Sequence, residues 1–568
     1  MIYLKKLLSQ HFPRVIVIVI ILGISVSALL YRLINLTIVN QHFLVTQCTE
    51  RTMRDMVIPS FRGIILDRNN DPLAVSTPVY ALWIDPKKSD FTPSPLQLSQ
   101  LSKLILLPVK EINFLIQKNK TRQFVYLQRD ISPQVATQIK NLQIKGLFLE
   151  KQYRRFYPDG ETIAPVIGFT NIDDEGQEGL ELLYNQWLKG QSGLRRVLKD
   201  RYGEVVANIG MKKDPIPGQN IVLSIDSRLQ YLAYNELVKG IQQFGAKYGS
   251  IVILNIHTGE ILAMANAPSF NPNIRGNEIN GNHKNRAVTD LYEPGSSIKT
   301  FAMTSALMSG KYHVNSMINT HPGYWLVEGK KIEDDGHDEG VIDLTRILQV
   351  SSNVGMSKVI LTIPHHVFLN LLHQLGFGQP TGINFPGESD GYINKNAQTS
   401  DFVYATVSFG YAISANLLQL AHAYATLANN GVPVPLTILK VQSNQTIHST
   451  TPIIPPKISE EIRSMLESVL KKGGGTATAA KVYNYRVTGK TGTTRILGPH
   501  GYDKTAHNSF FVGVAPATRP ELVVAVFLHK PAKKAYLGGD VAGPIFSRVM
   551  GDALRILNVP PDDIQTQH

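Results

Sequence analysis

One cysteine, Cys48, stands in 568 residues, so no intramolecular disulfide is available and packing alone must hold the fold. It lies close to an apolar N-terminal run and reads as structural or incidental. The 16 histidines show no H-E-x-x-H or similar ligand spacing, which sets aside the common zinc hydrolases. His365-His366 reads as an exposed or partly packed pair. The acidic run Glu333-Asp334-Asp335-Gly336-His337-Asp338-Glu339 does not fit a calcium loop and reads as solvated. Gly489-Lys490-Thr491 ends like a phosphate-binding loop, but the leading glycine of that pattern falls on Asn484. The chain has no internal repeat and no nucleic-acid module.

Acidic residues are also missing from the start of the chain. None precedes Glu50, whereas Lys5, Lys6 and Arg14 do, an asymmetry that favours a cytoplasmic N-terminus for residues 1–14. Residues 15–31 carry no charge, and apolar character resumes after Arg32 as far as Val39. With Arg32 snorkelling, residues 15–39 suffice to span a bilayer. Ser25-Val26-Ser27-Ala28 loosely resembles a signal-peptidase site, but the apolar run continues for about ten residues beyond it. An uncleaved single-pass anchor is therefore expected. The net charge of +13 and pI near 9.4 permit an acidic partner such as an anionic glycopolymer or lipid headgroup, although a solvated basic surface accounts for them equally. The length suggests roughly three to four domains.

Three short boxes carry chemistry. Ser296-Ser297-Ile298-Lys299 is S-x-x-K, Ser351-Ser352-Asn353 is S-x-N, and Lys490-Thr491-Gly492 is K-T-G followed by Thr493. Together they assemble a serine acyl-transfer site that needs neither histidine nor metal. A serine hydroxyl is a poor nucleophile unless a neighbouring base activates it. Pro294-Gly295 reads as a turn into a helix ending at Gly310, with Ser296 in its first turn and Lys299 on the same face. A desolvated Lys299 amine can take the serine proton. Residues 485–493 read as a strand whose glycines let a ligand backbone approach. Lys490, Thr491 and Thr493 offer a cation and hydroxyls to a substrate carboxylate. Ser351 and Asn353 taken alone read as helix caps; beside the other boxes they read as catalytic. A second S-x-x-K, Ser468-Val469-Leu470-Lys471, lacks the Pro-Gly turn and sits where Ile462, Met465, Leu466 and Val469 have helical spacing, so it reads as an ordinary helix end.

These residues resemble the class B penicillin-binding proteins, and within them the septal peptidoglycan D,D-transpeptidases of Gram-negative bacteria. The three boxes are also a signature of class A β-lactamases. The resemblance runs from about residue 14 to about 556. It includes Arg62-Gly63-Ile64-Ile65-Leu66-Asp67-Arg68-Asn69, Arg155-Phe156-Tyr157-Pro158, Gly168-Phe169-Thr170-Asn171-Ile172-Asp173 with Gly179-Leu180-Glu181, Val354-Gly355-Met356-Ser357-Lys358, and residues 538–546. The family usually has histidine at Pro165 and often glycine at Asn70; both departures lie outside the catalytic boxes.

The resemblance implies an α/β (α+β) transpeptidase domain like that of penicillin-binding proteins and β-lactamases, over residues 216–556. Its antiparallel sheet is flanked by helices, with a helical subdomain beside it. Residues 45–215 form an elongated, non-catalytic pedestal of the dimerisation type, in which Arg62, Gly63, Asp67 and Arg68 are architectural. Residues 96–117 read as helical, and residues 557–568 as a tail, disordered after Pro560. From residue 220 the pattern becomes α/β, with buried-strand runs at 250–255 and 522–527.

By the same resemblance, Ser296, Lys299, Ser351 and Lys490 are catalytic. Asn353, Thr491, Gly492 and Thr493 bind substrate, and backbone N–H groups of Ser296 and Thr493 hold the oxyanion. Donor and acceptor stem peptides and β-lactam antibiotics are the expected ligands, with no metal or organic cofactor. The expected setting is the inner membrane at the division septum, with a periplasmic catalytic domain beside a polytopic glycosyltransferase and other division proteins. Rivals are an elongation-type transpeptidase, a penicillin-binding sensor or scaffold, and a β-lactamase. The last would need a water-activating box like E-x-x-L-N between Asn353 and Lys490, and none is convincing.

Overall fold

A run of Val, Ile and Leu on every side of a helix has no polar face to turn to water. Helix Ile2–Ile34 has that composition from Val15 onward and passes through a π turn, Asn35–Val39, into helix Gln41–Thr52. Its Val15–Val39 stretch is long and apolar enough to cross a membrane and is packed against nothing. The computed structural model describes residues 2–88, 91–200, 205–274, 283–334, 337–442, 451–498, 501–533 and 535–563. The chain divides into two compact units, residues 1–60 with 190–217 and residues 61–189 with 218–568. The first holds the apolar helix and a three-stranded antiparallel sheet ordered Met53–Ile58, Gly193–Lys199, Val205–Lys213. Residues of the expected pedestal thus fall in both units.

In the second unit, strand Pro72–Ile84 is flanked by Val125–Ile131 and Leu147–Phe156, both antiparallel to it. Its inward residues Leu82 and Ile84 pack with Leu101, Ile105, Ile112 and Ile139 in a small separate core. The helix expected over 96–117 is in fact two, Pro95–Ile105 and Val109–Lys118. Pro108 cannot donate a backbone hydrogen bond and disfavours helical backbone at Leu107. Leu106 accordingly turns left-handed at φ 54°. The architectural reading of the N-terminal motif holds. Arg62 and Arg155 each bind the buried Glu181 carboxylate, Nε to oxygen at 2.6 Å. Asp67 accepts from the backbone of Asn69 and Asp71 and from the Ser227 hydroxyl at 2.9 Å. Asn70, where the family often has glycine, takes φ 69°, which asparagine tolerates better than most residues.

A five-stranded antiparallel sheet is ordered Ile261–Ala267, Tyr248–Asn255, Leu522–His529, Gly501–Ala515, Thr488–Gly498. Its central runs, Ile251 to Leu254 and Val523 to Leu528, are buried on both faces, which is why they read as unbroken apolar stretches. Helices Ser227–Phe244 and Gly538–Ile556 pack against each other and the sheet, as does Leu417–Ala428. Asp226 caps the first of these through Arg228 N at 3.1 Å, and Gly245 closes it in left-handed backbone at φ 63°. The segment after Pro560 is not a free tail as far as it is described. Asp562 accepts from Arg486 N at 2.7 Å and from the Thr518 hydroxyl at 2.8 Å; residues 564–568 lie outside the described residues.

Candidate active site

The Pro294-Gly295 turn leads into a 3₁₀ turn, Gly295–Ile298, that runs directly into helix Lys299–Met308. Ser296 therefore sits half-exposed at the mouth of a buried helix. Free N–H groups and the dipole at such an end favour developing negative charge. Glycine at 295 is a requirement of shape: its φ is 57°, and a Cβ there would lie 2.6 Å from Thr494 Cγ2. Gly410 is pressed still closer, since its Cβ would lie 1.9 Å from the carbonyl oxygen of Gly295. Beneath the turn the Tyr424 hydroxyl donates to the Ser297 carbonyl at 2.8 Å and bonds the Thr300 hydroxyl at 2.8 Å.

Lys299 is fully buried and points its ammonium at the S-x-N box. Its Nζ donates to Asn353 Oδ1 at 2.6 Å, to the Ser351 hydroxyl at 3.2 Å and to the Ser351 carbonyl. Lys490, also fully buried, donates to the same Ser351 hydroxyl at 3.1 Å and to Thr491 Oγ1 at 3.3 Å. Two lysine amines thus converge on one serine oxygen. Burial, with the Lys299 charge as a second cause, holds the Lys490 ammonium well below the ordinary lysine pKa. Ser351 closes helix Leu344–Val350 in left-handed backbone at φ 64°, and Asn353 opens helix Asn353–Ile360. Ser351 is a helix cap as expected and Asn353 is not: Ser352 is the N-cap, accepting from Gly355 N at 2.8 Å.

Lys490, Thr491, Gly492 and Thr493 lie on the edge strand Thr488–Gly498, which begins three residues later than expected. Gly489 and Gly492 are each closely approached by the protein itself. A Cβ on Gly489 would lie 2.7 Å from the Phe511 ring, and one on Gly492 would lie 2.6 Å from the Pro294 carbonyl oxygen. They let the strand press onto its neighbour and onto the turn that carries Ser296. The Thr493 hydroxyl accepts from Gly538 N at 2.9 Å. The second S-x-x-K is structural, as expected: Ser468 is buried, and its hydroxyl donates to the Met465 carbonyl at 2.6 Å.

Asp334 departs from the expectation of a solvated acidic loop. It is buried and accepts from the Ser352 hydroxyl at 2.6 Å and from the backbone of Asn353 at 2.5 Å and Val354 at 2.9 Å. The neighbouring Glu333 carbonyl accepts from the Asn353 side-chain amide at 3.0 Å. An acidic group at a helix N-terminus is favourable, but nothing local to the run marks which acid is the buried one.

Comparison with known proteins agrees with this geometry. Residues 249–551 match the penicillin binding protein transpeptidase domain, and residues 57–223 the penicillin-binding protein dimerisation domain. The probable peptidoglycan D,D-transpeptidase PbpC of Pseudomonas aeruginosa is 40% identical over 557 residues, covering 98% of this chain and 97% of the relative. The peptidoglycan D,D-transpeptidase FtsI of Escherichia coli is 37% identical over 546 residues, covering 96% and 92%. Among solved structures, the apo transpeptidase domain of Burkholderia pseudomallei penicillin-binding protein 3 is 36% identical with a TM-score of 0.55, covering 60% of this chain and 97% of that one. A peptidoglycan synthetase from Bifidobacterium adolescentis is 25% identical with a TM-score of 0.71, covering 91% and 98%.

Proposed function

The chain belongs to the class B penicillin-binding proteins, the peptidoglycan D,D-transpeptidases, and from that premise we propose that it crosslinks stem peptides of the septal wall through an acyl-enzyme on Ser296. The observation that carries the residue roles is the convergence of Lys299 and Lys490 on the Ser351 hydroxyl, at 3.2 and 3.1 Å.

Lys299 takes the proton as Ser296 Oγ attacks the carbonyl between the two terminal D-alanines. Negative charge on that oxygen is met by the backbone N–H groups of Ser296 and Thr493. The C–N bond to the terminal D-alanine breaks, and the departing amine receives its proton through Ser351, with Lys490 behind it. Lys490 suits this place because its depressed pKa makes its ammonium a readier proton donor to Ser351, and the proton held on Lys299 can reload it. Asn353 orients the donor backbone, and Thr491 and Thr493 hold the terminal carboxylate. An amine of a second stem peptide then attacks the ester, forming the crosslink and returning the proton to Ser296. The edge position of strand Thr488–Gly498 supports this, since an edge offers unpaired backbone groups to an extended peptide. β-Lactams acylate Ser296 because their strained amide takes the place of the scissile bond.

The apolar helix anchors the protein in the inner membrane with the catalytic domain outside, and midcell is its site of action beside a polytopic glycosyltransferase. Two measurements test this. Fluorescent penicillin bound to the full-length protein should map to the Ser296 peptide. Depletion in a rod-shaped host should give filaments with blocked septa, whereas rounded cells that still divide would move the protein to side-wall growth.

A further inference from the structure

Glu293 lies three residues before the nucleophile, and the mechanism above gives it nothing to do. It is half-buried, and among the described residues no cation is paired with it. Burial accordingly raises its carboxyl above the usual range, against two hydrogen bonds that lower it. A carboxylate in that state is costly unless its oxygens are bonded. One of them is bonded twice: Oε1 accepts from the Tyr502 hydroxyl at 2.8 Å and from Ala412 N at 3.1 Å.

Those two donors come from different parts of the cleft wall. Tyr502 stands at the start of strand Gly501–Ala515, the second arm of the hairpin whose first arm carries Lys490 and Thr493. Ala412 belongs to the loop after helix Asp401–Ser408, and holds left-handed backbone at φ 58°. That is a costly conformation for alanine and one that the bond to Glu293 helps to keep. The same segments meet the turn again nearby. Thr494 Oγ1 donates to the Glu293 carbonyl at 3.3 Å, and Gly295 N donates to the Gly410 carbonyl at 3.1 Å. The Tyr411 and Tyr502 rings pack edge to face, 5.5 Å between centroids. Among the described residues, Glu293 is therefore the one side chain on the turn bearing Ser296 that bonds both flanking walls.

We propose that Glu293 is a positioning residue for acylation: its carboxylate ties the hairpin through Tyr502, and the 409–412 loop through Ala412, to the turn that bears Ser296, and so sets the gap between Ser296 and Thr493. The proposal rests on the transpeptidase reading, because that gap is where the reacting carbonyl must sit. Loss of the tie leaves every catalytic group present and moves one side of the oxyanion site relative to the other. Errors of about 1 Å in such placement cost up to roughly a hundredfold in rate.

The test is the rate of acylation of full-length, detergent-solubilised protein by fluorescent penicillin, measured to saturation so that docking and acylation separate. Glu293→Ala and Tyr502→Phe should each slow the acylation step by about tenfold or more, with docking changed far less. The double variant should be no slower than the worse single one, because both remove the same tie. Glu293→Gln keeps an acceptor oxygen and should restore most of the rate, which a bulk loss of stability would not predict. Wild-type rates in both single variants, or losses that multiply in the double one, would overturn the proposal. If Glu293→Ala does not fold, Tyr502→Phe, which deletes one oxygen from a partly exposed ring, still decides it. Failure of the wild-type protein to label at all would instead strike the transpeptidase reading itself.

Discussion

Asp334 and the Ser352 hydroxyl are joined by a 2.6 Å hydrogen bond between two buried side chains. Ser352 is the middle residue of the S-x-N box, the one that points away from the chemistry. Its hydroxyl also accepts from Gly355 N at 2.8 Å, so serine and aspartate together hold the first turn of helix Asn353–Ile360. Ser351 and Asn353, on either side, have their positions set by this pair.

Asp334→Ala should therefore leave the Ser352 hydroxyl and the N–H groups of Asn353 and Val354 without their acceptor. The cost expected for such buried groups is about 1–3 kcal/mol, read as a lower Tm. Acylation by penicillin should slow as well, because Asn353 loses its fixed orientation. An unchanged acylation rate per folded molecule would show that the box holds its geometry without the aspartate.

Ser296→Ala should fold and fail to label with fluorescent penicillin, whereas Ser468→Ala should label at the wild-type rate. The second serine spends its hydroxyl on the Met465 carbonyl inside a helix end, and no lysine amine is directed at it among the described residues. Label recovered on a Ser468 peptide would sink the assignment. The acyl-enzyme should also persist, because the reaction succeeds only if water is kept from the ester until an amine arrives.

What could be read from the chain and what could not divide along sequence separation. Ser296 and Lys299 share a helix turn, and each of the other boxes is also local, so residue type and spacing revealed them. Asp334 and Glu293 did not show, because their partners lie 18–20 and 119–209 residues away and acids outside a motif look like solvated surface. The glycines at 489 and 492 were legible as a need for close approach, but the sequence did not show that Phe511 and Pro294 are among the groups that approach. The break at Pro108 was written in the sequence, and the apolar periodicity on either side of it masked the signal.

Glu181→Ala should be severely destabilising without touching the chemistry. It leaves the buried guanidiniums of Arg62 and Arg155 facing each other with no carboxylate between them. Removing one member of a buried ionic group costs about 3–5 kcal/mol. Thermal unfolding should show a large drop in Tm, while protein that remains folded acylates normally. A Tm within a degree or two of wild type would mean that water reaches the site and solvates both arginines.

Lys490 gives stability a pH dependence of definite sign. Its folded-state pKa is depressed, mainly by burial and further by Lys299, while in the unfolded chain a lysine titrates near about 10.4. Between those two values the unfolded chain binds more protons than the folded protein. Stability contributed through this residue therefore rises with pH across that interval and levels off above about 10.4. Lys490→Met removes the term along with the charge. Other lysines contribute alike to both proteins, so the informative quantity is the difference in Tm between wild type and variant. The wild type should gain on Lys490→Met as the pH climbs from about 7 to about 10. Parallel Tm profiles for the two proteins would mean that the Lys490 charge is solvated after all.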